Sequence, residues 1–381
     1  MSGIKKFIAG FADQEAGYLD YARMGPLSVA VREDIRVHTE ALGRGRFGTM
    51  PFLAEEGPRF QSAVSALTGF APEQVVAQPN TGTALMQAMF GLSGGLLVSA
   101  QDFPSVPLAA ARSHEHVGRL TPHWLKTEDG RVTPEAVRAQ LSVDIDAVVV
   151  SLVDYRTGFV ADLAGIRDVI GDRLLIVDAI QGFGVVDADY AAADVLAAGG
   201  HKWARAGWGT GFLALSDLAL DLMTPVISGF MGTGDVEPWG RVVEPGPGAS
   251  AYAVSNPDRL AQSRFAASLE ETAAAGVSSI AAVISDLAGE IIEMASEYNL
   301  PVVSPREAHR RAGIVVLEPE GDDAGLLAAA LHNAGITATL REGRTRLSVH
   351  AGTDRETLRM LREAMASLCG ARPQIQDLAG P

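Results

Sequence analysis

The sequence predicts an α/β protein with a mostly parallel sheet covered by helices on both faces, followed by a smaller α/β unit at the C-terminus. Short apolar runs alternate with Ala- and Leu-rich helical stretches through the first part of the chain, an order typical of parallel sheets. These runs are continuous rather than alternating, as expected for strands that are buried on both faces. With 47% hydrophobic residues over 381 positions, the chain has ample material for a large core.

The predicted elements follow from this pattern in chain order. Strands are expected at 75–77, 96–98, 147–152, 174–177 and 211–215, with helices at 82–90 and 134–141 between them. Glycine and proline concentrate at 229–234 and 244–250, which indicates loops. A helical stretch at 257–298, interrupted by Gly276, precedes strands at 313–317, 336–340 and 346–349 and helices at 323–334 and 354–369. We therefore expect a large domain at 16–255 and a small domain formed by 256–381 together with 1–15.

The balance of charges and the cysteine content limit the functional classes. The chain carries 31 Lys and Arg against 46 Asp and Glu, a net charge of −15, which disfavours the positive patches that nucleic-acid binding requires. Cys369 is the only cysteine, so we expect no internal disulfide, no structural zinc cluster and no metal site. The apolar run at 7–12 is too short for a secretion signal, and no run is long enough to span a bilayer. We expect a cytoplasmic protein.

An acidic residue and a lysine stand out because of their surroundings. Asp178 ends an apolar run, and a carboxylate at the carboxyl end of a strand faces the crevice where α/β sheets bind ligands. Lys202 follows Gly199, Gly200 and His201, a setting that desolvates an amine and favours covalent chemistry. Taken alone, the carboxylate is more typical of a turn or a helix cap, and the lysine of a solvated surface. Their combination favours a cofactor site.

A third motif, Thr81-Gly82-Thr83, lies where a predicted strand turns into a helix. Unpaired N–H groups at a helix N-terminus, together with the two hydroxyls, favour an anion such as a phosphate group. The alternative is an ordinary threonine N-cap, and one turn can serve both purposes. The segment lacks the Gly-x-Gly-x-x-Gly pattern, which argues against a nucleotide-dependent dehydrogenase.

Together these motifs resemble the class V aminotransferase family, whose members bind pyridoxal 5′-phosphate (PLP) in the architecture called PLP fold type I. They are Thr81-Gly82-Thr83, Asp178-Ala179-Ile180-Gln181 and Gly200-His201-Lys202-Trp203. The family includes cysteine desulfurases, kynureninases, isopenicillin N epimerases and C–S lyases. The resemblance extends from Tyr18 to His350. It implies a large domain with a mostly parallel seven-stranded sheet, a smaller C-terminal α/β domain, and a homodimer with active sites at the interface.

The resemblance also implies roles for residues that would hold PLP. Lys202 would form a Schiff base with the cofactor, and Asp178 would pair with its pyridine nitrogen. Gln181 would contact the ring hydroxyl, and His201 would help Thr81, Gly82 and Thr83 to hold the phosphate. Phe103 falls where the family places an aromatic side chain that stacks on the ring. A position in the core is the alternative for Phe103.

Further residues match family positions that contact the substrate or a second subunit. Arg346 matches the arginine that binds the substrate α-carboxylate, for which a guanidinium fork is suited. Ser255 falls where the family reaches the phosphate bound by a neighbouring subunit. Arg23 departs from the small or polar residues expected at its position and could bind a second acidic group. A surface salt bridge is the alternative for Arg346, and a surface or interface arginine for Arg23.

Two departures from the family pattern bear on the reaction. Desulfurases of the family use a cysteine on a mobile loop, whereas Cys369 lies on the last predicted helix. The segment around Tyr155, Asp-Tyr-Arg-Thr-Gly, resembles the kynureninase form of this loop, and Tyr155 could donate a proton, contact the phosphate or simply be packed. We therefore favour a side-chain lyase of the kynureninase or C–S lyase type acting on an amino acid. An aminotransferase or amino-acid epimerase is the alternative, and a non-catalytic PLP-binding protein a further one.

Overall fold

The computed structural model describes residues 3–127, 129–234 and 238–376. The α-helices of this part are α1 (Gly3–Ala9), α2 (Val29–Arg44), α3 (Thr49–Ala54), α4 (Glu56–Thr68), α5 (Thr81–Gly91), α6 (Ser105–His116), α7 (Pro134–Gln140), α8 (Leu163–Ile170), α9 (Asp217–Leu222), α10 (Arg259–Ala275), α11 (Val277–Glu297), α12 (Asp323–Asn333) and α13 (Arg355–Gln376). The strands are β1 (Val75–Gln78), β2 (Gly94–Ser99), β3 (Leu120–Leu125), β4 (Ile145–Ser151), β5 (Leu174–Asp178), β6 (Val195–Gly199), β7 (Gly211–Leu215), β8 (Ile314–Leu317), β9 (Thr339–Arg341) and β10 (Arg344–Ser348).

Seven strands form the large sheet in the spatial order β1-β7-β6-β5-β4-β2-β3. The strands from β6 to β3 in that order pair in parallel, and β7 runs against both of its neighbours, β1 and β6. Because β1 therefore points the same way as β6, every strand of this sheet except β7 shares one direction. The predicted mostly parallel, seven-stranded sheet is confirmed.

Both faces of the large sheet are covered, which explains the continuous apolar runs. Successive side chains of a strand point to opposite faces. Val148 and Leu175 belong to the core layer that α8 and α10 complete, whereas Val149 and Ile176 belong to the layer completed by α5 and α6. All four side chains are at most 1% exposed, so neither face of the central strands has a polar side.

The structure confirms the five strands predicted in this region as β1, β2, β4, β5 and β7, but the sequence pattern does not predict β3 or β6. β3 lies at the edge of the sheet and contains Pro122, which lacks an N–H group and is tolerated at an edge. β6 reads Val-Leu-Ala-Ala-Gly, and its small residues have low strand propensity. In both strands the sheet context overrides local preference.

The C-terminal part forms a smaller unit around a second sheet, as predicted. Its three strands are antiparallel in the order β8-β10-β9, and α11, α12 and α13 pack against this sheet or one another. The predicted break in the long helical stretch is confirmed at Gly276, which has a φ of 81°, a conformation that favours glycine. α10 itself packs on α2 and α4. The domain boundary at 255/256 stays a prediction, and residues 1, 2 and 377–381 lie outside the described part.

No single helix in the described ranges is long and apolar enough to cross a membrane. Only α10 and α11 together pass that test of length and composition, as a pair bent by 82°.

Parallel pairing brings the carboxyl ends of several strands to one edge of the large sheet. Ser151 at the end of β4 lies in register with Asp178 at the end of β5. Gln78 at the end of β1 and Gly199 at the end of β6 both lie opposite Gly211 of β7. The loops that follow these strands therefore converge, and ligands of open α/β sheets bind at such an edge.

We expect the substitution Phe212→Ala to destabilise the fold strongly. Phe212 is fully buried in β7 and packs against Phe183 and Phe265, with ring centroids 4.9 and 6.3 Å away. Removing such a side chain from a core costs about 3–5 kcal/mol. The measurement is the urea midpoint of unfolding by circular dichroism, with Phe47→Ala as control because Phe47 is fully exposed. Equal midpoints for the two variants would contradict this account of the core.

Candidate active site

A cavity of about 560 Å³ opens at the carboxyl edge of the large sheet, where the hairpin of β9 and β10 faces it. Its lining comes from the segments after β1, β2, β4, β5 and β6, from residues 22–23 and from the smaller sheet. Most of the site residues predicted from the sequence line this one cavity: Arg23, Thr81, Gly82, Phe103, Tyr155, Asp178, Gln181, His201, Lys202 and Arg346. Residues far apart in sequence are thus brought to one place.

Thr83 and Ser255 do not line this cavity. Both line a second cavity of about 800 Å³, which runs along β1 and the start of α10. The N–H of Thr83 donates to Asn80 Oδ1 at 2.9 Å, and its hydroxyl donates to the same oxygen at 3.2 Å. The N-cap of α5 is therefore Asn80 and not a threonine. The predicted phosphate contact of Thr83 gains no support from this geometry, and that of Ser255 with a neighbouring subunit stays a prediction.

The start of α5 presents unused polar groups to the cavity. Thr81 Oγ1 is buried and has no hydrogen-bond partner among the described residues. Thr81 and Gly82 lie in the first helical turn, whose N–H groups lack intrahelical partners. A Cβ at Gly199 would lie 2.9 Å from Thr81 Oγ1, so the glycine at the end of β6 allows this close approach. The arrangement suits an anionic group.

Asp178 and Lys202 place opposite charges in a largely desolvated part of the cavity. Asp178 is 2% exposed, and its Oδ1 accepts a hydrogen bond from the Ile180 N–H at 3.0 Å. Burial raises the pKa of Asp178, the charge of Asp102 adds to the rise, and Lys202 opposes it. Burial lowers the pKa of Lys202, and Asp178 opposes that change. The amine therefore loses its proton more readily than that of an ordinary lysine.

Two aromatic side chains, Phe103 and Tyr155, lie beside the amine of Lys202. Lys202 Nζ lies 5.5 Å from the ring centroid of Phe103. Tyr155 meets Phe103 edge-on, with ring centroids 5.2 Å apart and planes at 87°. Phe103 is 37% exposed, so it is not a core residue, and its ring offers a flat apolar surface to a planar ligand.

Arg346 is held in place by neighbours on three sides. Nη1 donates to the Tyr155 carbonyl and Nη2 to Thr339 Oγ1, both at 3.2 Å, and Asp20 Oδ1 lies 3.7 Å from Nη2. Thr339 in turn donates to Asp20 Oδ1 at 2.7 Å. Nε is buried without a partner among the described residues. The side chain is 15% exposed, so Arg346 is not part of a surface salt bridge and retains capacity for an anion.

The side chain of Gln181 is hydrogen-bonded within the protein, whereas that of His201 is distinguished by its lowered pKa. The amide of Gln181 donates to the Ala22 carbonyl at 2.9 Å and accepts from Trp203 Nε1 at 3.0 Å, so both of its ends are engaged within the protein. A cofactor contact by Gln181 would use the remaining lone pair of its oxygen. Burial lowers the pKa of His201 to about 4, and the nearby charge of Lys202 adds to this effect. The imidazole of His201 is therefore neutral at neutral pH.

The backbone of the loop that carries Lys202 is held by close contacts with Gly25 and His350. A Cβ at Gly25 would lie 2.1 Å from the Lys202 carbonyl oxygen, and the Gly25 N–H donates to the His201 carbonyl at 2.8 Å. His350 Nε2 donates to the Trp203 carbonyl at 2.8 Å, while its Nδ1 accepts from the backbone N–H that follows it. Burial lowers the pKa of His350 to about 3, so this ring stays neutral.

Sequence reasoning missed several supporting residues. Asp102 accepts hydrogen bonds from Ser151 Oγ at 2.6 Å and from the Phe103 N–H at 2.7 Å, and its charge reaches Asp178. Asp102 directly precedes Phe103, so its position beside a predicted site residue was an available signal. Asp20 offers no such signal, because its contact with Arg346 depends on the pairing of distant segments.

Comparison with known proteins identifies the family of the chain. A sequence model of one family, described as aminotransferase class V, matches residues 84–360, a range that includes Asp178, Lys202 and Arg346. The chain belongs to the class V aminotransferase family. The family resemblance predicted from the motifs is confirmed, and the chain is an enzyme.

Relatives within this family differ in activity. A kynureninase of Deinococcus radiodurans is 26% identical over 269 residues, which span 67% of this chain and 64%, less than two thirds, of the kynureninase. A cysteine desulfurase of Thermococcus onnurineus NA1 has 18% identity and a TM-score of 0.81, covering 94% of each chain. The cystine C–S lyase C-DES, solved with its product cysteine persulfide, has 17% identity and a TM-score of 0.83, covering 95% of this chain and 99% of the lyase. These two structures share the fold of this family member.

The family and its solved members identify PLP as the cofactor. A lysine-to-alanine variant of C-DES, at 17% identity and a TM-score of 0.82 over 96% of this chain and 98% of that one, carries glycine covalently linked to PLP. The cavity fits PLP in size, since ligand sites measure about 300–1,000 Å³. The unpaired hydroxyl of Thr81 and the turn around it suit the phosphate, and the flat face of Phe103 suits the ring. Asp178 suits the pyridine nitrogen, and the amine of Lys202 suits covalent attachment.

We expect the amine of Lys202 in the cofactor-free enzyme to titrate below the ordinary lysine value of 10.5. Because Asp178 raises the pKa of Lys202, the variant Asp178→Asn should titrate lower still. Neutral amine is the reactive form, so modification of Lys202 at pH 7 should be faster in the variant. The measurement is the rate of acylation of the Lys202 peptide against pH, by mass spectrometry, with exposed Lys126 as internal control. A variant midpoint at or above that of the unchanged enzyme would contradict the electrostatic coupling.

Proposed function

We propose that this enzyme cleaves a bond in the side chain of an amino acid, as kynureninases and C–S lyases do. The observation that carries the proposal is Tyr155, which lines the cavity with its ring edge-on to Phe103 and with its backbone carbonyl bound to Arg346 Nη1. No cysteine lies among the described residues that line the cavity. Cys369 belongs to α13, and its side chain is outside the described part. The likeness to a kynureninase and to a cystine C–S lyase supports the same reaction type.

When bound, PLP supplies an electron-withdrawing ring that stabilises negative charge at the substrate α-carbon. The protein has to keep the pyridine nitrogen of that ring protonated, and Asp178 would do so with its carboxylate. The Ile180 N–H binds only Oδ1 of Asp178, which leaves Oδ2 for the cofactor. Thr81 and the first turn of α5 are placed to hold the phosphate end. His201, neutral at neutral pH, can donate one hydrogen bond without adding a charge.

Arg346 orients the substrate in this proposal. Its guanidinium binds the α-carboxylate, because a fork of N–H groups matches two carboxylate oxygens. Tyr155 and Thr339 fix the plane of the guanidinium through the two bonds at 3.2 Å. Asp20 stabilises the partly buried cation, since its proximity raises the pKa of Arg346 against the effect of burial.

Lys202 moves the α-proton. With PLP and the substrate bound, its Nζ would be free to accept the proton from the substrate α-carbon. A general base works best when its pKa lies near the working pH, and the lowered pKa of Lys202 is in that direction. Tyr155 then gives a proton to the departing side-chain fragment. Without this last transfer the same residues would serve transamination or epimerisation, and for this reason Tyr155 decides between the alternatives.

We further propose that two copies of the chain form a homodimer and that the enzyme works in the cytoplasm. Ser255 and Thr83 line a second, largely apolar cavity next to the start of α5, a position from which a second subunit could approach the phosphate site. A single cysteine suits a reducing compartment.

We expect Lys202→Ala to abolish covalent attachment of PLP without unfolding the protein, because the lysine side chain lines the cavity. The visible absorption band should disappear, and borohydride should no longer fix a cofactor mass on the peptide that contains residue 202. Exposed Lys126→Ala provides the matched control and should keep both signals. A reducible adduct that persists in Lys202→Ala would refute the assignment of this lysine.

We expect Tyr155→Phe to reduce side-chain cleavage by a factor of about 10²–10⁴, the usual contribution of a general acid. Exchange of the substrate α-proton with deuterated solvent should continue, since Lys202 carries out that step. Both quantities are measured on a panel of amino acids, the first by product analysis and the second by NMR. Cys369→Ser is the control and should leave both unchanged. Loss of turnover in Cys369→Ser, with Tyr155→Phe intact, would favour sulfur transfer through a cysteine instead.

A further inference from the structure

The lining of the active-site cavity is strongly basic, although the chain as a whole carries a net charge of −15. Its described lining contains six cationic side chains but only two carboxylates, those of Asp178 and Glu342. The cations are Arg23, Arg156, Lys202, Arg341, Arg344 and Arg346. An excess of positive charge inside an acidic protein indicates a ligand with more negative charge than the cofactor phosphate and one carboxylate supply.

Four of these cations already have partners or roles. Arg156 pairs with Asp154 at 2.7 Å, and Arg344 pairs with Glu318 at 2.8 Å. Lys202 is reserved for the cofactor, and Arg346 for the α-carboxylate. The charges that remain are those of Arg23 and Arg341.

Arg23 and Arg341 are only partly compensated within the protein. The side chain of Arg23 makes no hydrogen bond or ion pair with any described residue, but its charge acts on the buried Asp20, whose pKa it lowers, and on Arg346, whose pKa it also lowers. Asp20 is shared with Arg346, so one carboxylate faces two cations. Arg341 has Glu342 at 3.4 Å, but both side chains are largely exposed, and such pairs are weak. Both arginines are therefore available to an anion.

The hairpin of β9 and β10 sets the distance between the two anion positions. Arg346 lies opposite Thr339 in this hairpin, and Arg344 lies opposite Arg341. Residues two apart on a strand share a face and lie about 7 Å apart. The pair of Arg341 and Arg344 thus lies two residues nearer the turn of the hairpin than the pair of Thr339 and Arg346. We call the Arg346 pair the inner level and the Arg341 pair the outer level of the hairpin. Like charges directly opposite on paired strands repel each other, so an anion bound there relieves an unfavourable contact.

We propose that the substrate is an amino acid whose side chain ends in a carboxylate, which Arg23 and Arg341 bind at the mouth of the cavity. This inference names the substrate class of the enzyme and rests on the function proposed above. Arg346 binds the α-carboxylate at the inner level of the hairpin, and the side chain extends along the hairpin to the outer level. Arg23 approaches the same space from the segment before α2.

The test compares amino acids that differ in the terminal acid. The holoenzyme is titrated with L-aspartate against L-asparagine, L-glutamate against L-glutamine, and L-2-aminoadipate against L-norleucine, and dissociation constants are read from the change in the visible spectrum of PLP. In at least one pair the acid should bind about 10-fold more tightly or better, the usual worth of a hydrogen bond to a charged group. Arg23→Met and Arg341→Met should each reduce the ratio of the two dissociation constants toward one, and they should leave the dissociation constant of the neutral amino acid unchanged.

Arg138→Met is the matched control, because Arg138 is exposed on α7 and does not line the cavity. Arg138→Met should show the same ratio of dissociation constants as the unchanged enzyme. An enzyme that binds the neutral partners as tightly as the acids, or variants that keep the full preference, would overturn the proposal. So would an Arg23→Met variant that loses PLP instead of acid preference, since the arginine would then serve the cofactor.

A second measurement separates this inference from the proposed reaction. Calorimetry of the holoenzyme with glutarate and with butyrate probes the two anion positions without any chemistry at the α-carbon. Tighter binding of glutarate, lost in Arg341→Met, supports the second carboxylate site even where no side-chain product is found. Equal binding of the two acids contradicts the site, whether or not the enzyme proves to be a lyase.

Discussion

The shared direction of the strands in the large sheet is the constraint on which the site depends. It places the carboxyl ends of β1, β2, β4, β5 and β6 at one edge, so that Asp178, the loop of Lys202 and the start of α5 meet there. The backbone has to approach closely for this to happen. Glycines at Gly199 and Gly25 leave room where a Cβ would lie 2.9 Å or less from its neighbour. Sheet direction and these small residues together determine where the site lies.

Much of the fold and of the site could be predicted from the sequence because the signals are local. Asp178 ends an apolar run, and Lys202 follows a pair of glycines, so each is marked by its immediate neighbours. Tertiary context decides the rest. β6 is too rich in alanine to be recognised as a strand, and it becomes one only between β5 and β7. The cap of α5 is Asn80 rather than a threonine, a choice that depends on side-chain geometry.

Burial and compensation control the electrostatics of the cavity. Burial raises the pKa of Asp178 and lowers that of Lys202, and the opposite charge of each residue reduces the shift of the other. The charge of Asp102 raises the pKa of Asp178 further. Sequence alone could not supply this, since Asp102 lies on the loop after β2 whereas Asp178 ends β5, 76 positions further along the chain. The net negative charge of the whole chain favours solubility, whereas we relate the basic lining of the cavity to the recognition of anionic groups.

The division of the site between two sheets has a consequence for how such enzymes diverge. The groups proposed to hold PLP follow strands of the large sheet, whereas Arg341 and Arg346 belong to a short hairpin whose tip is exposed. Replacements at that tip remove little buried surface, so they can alter which molecule is accepted at small cost to folding. A protein lineage can then acquire new specificities while its catalytic machinery is inherited intact.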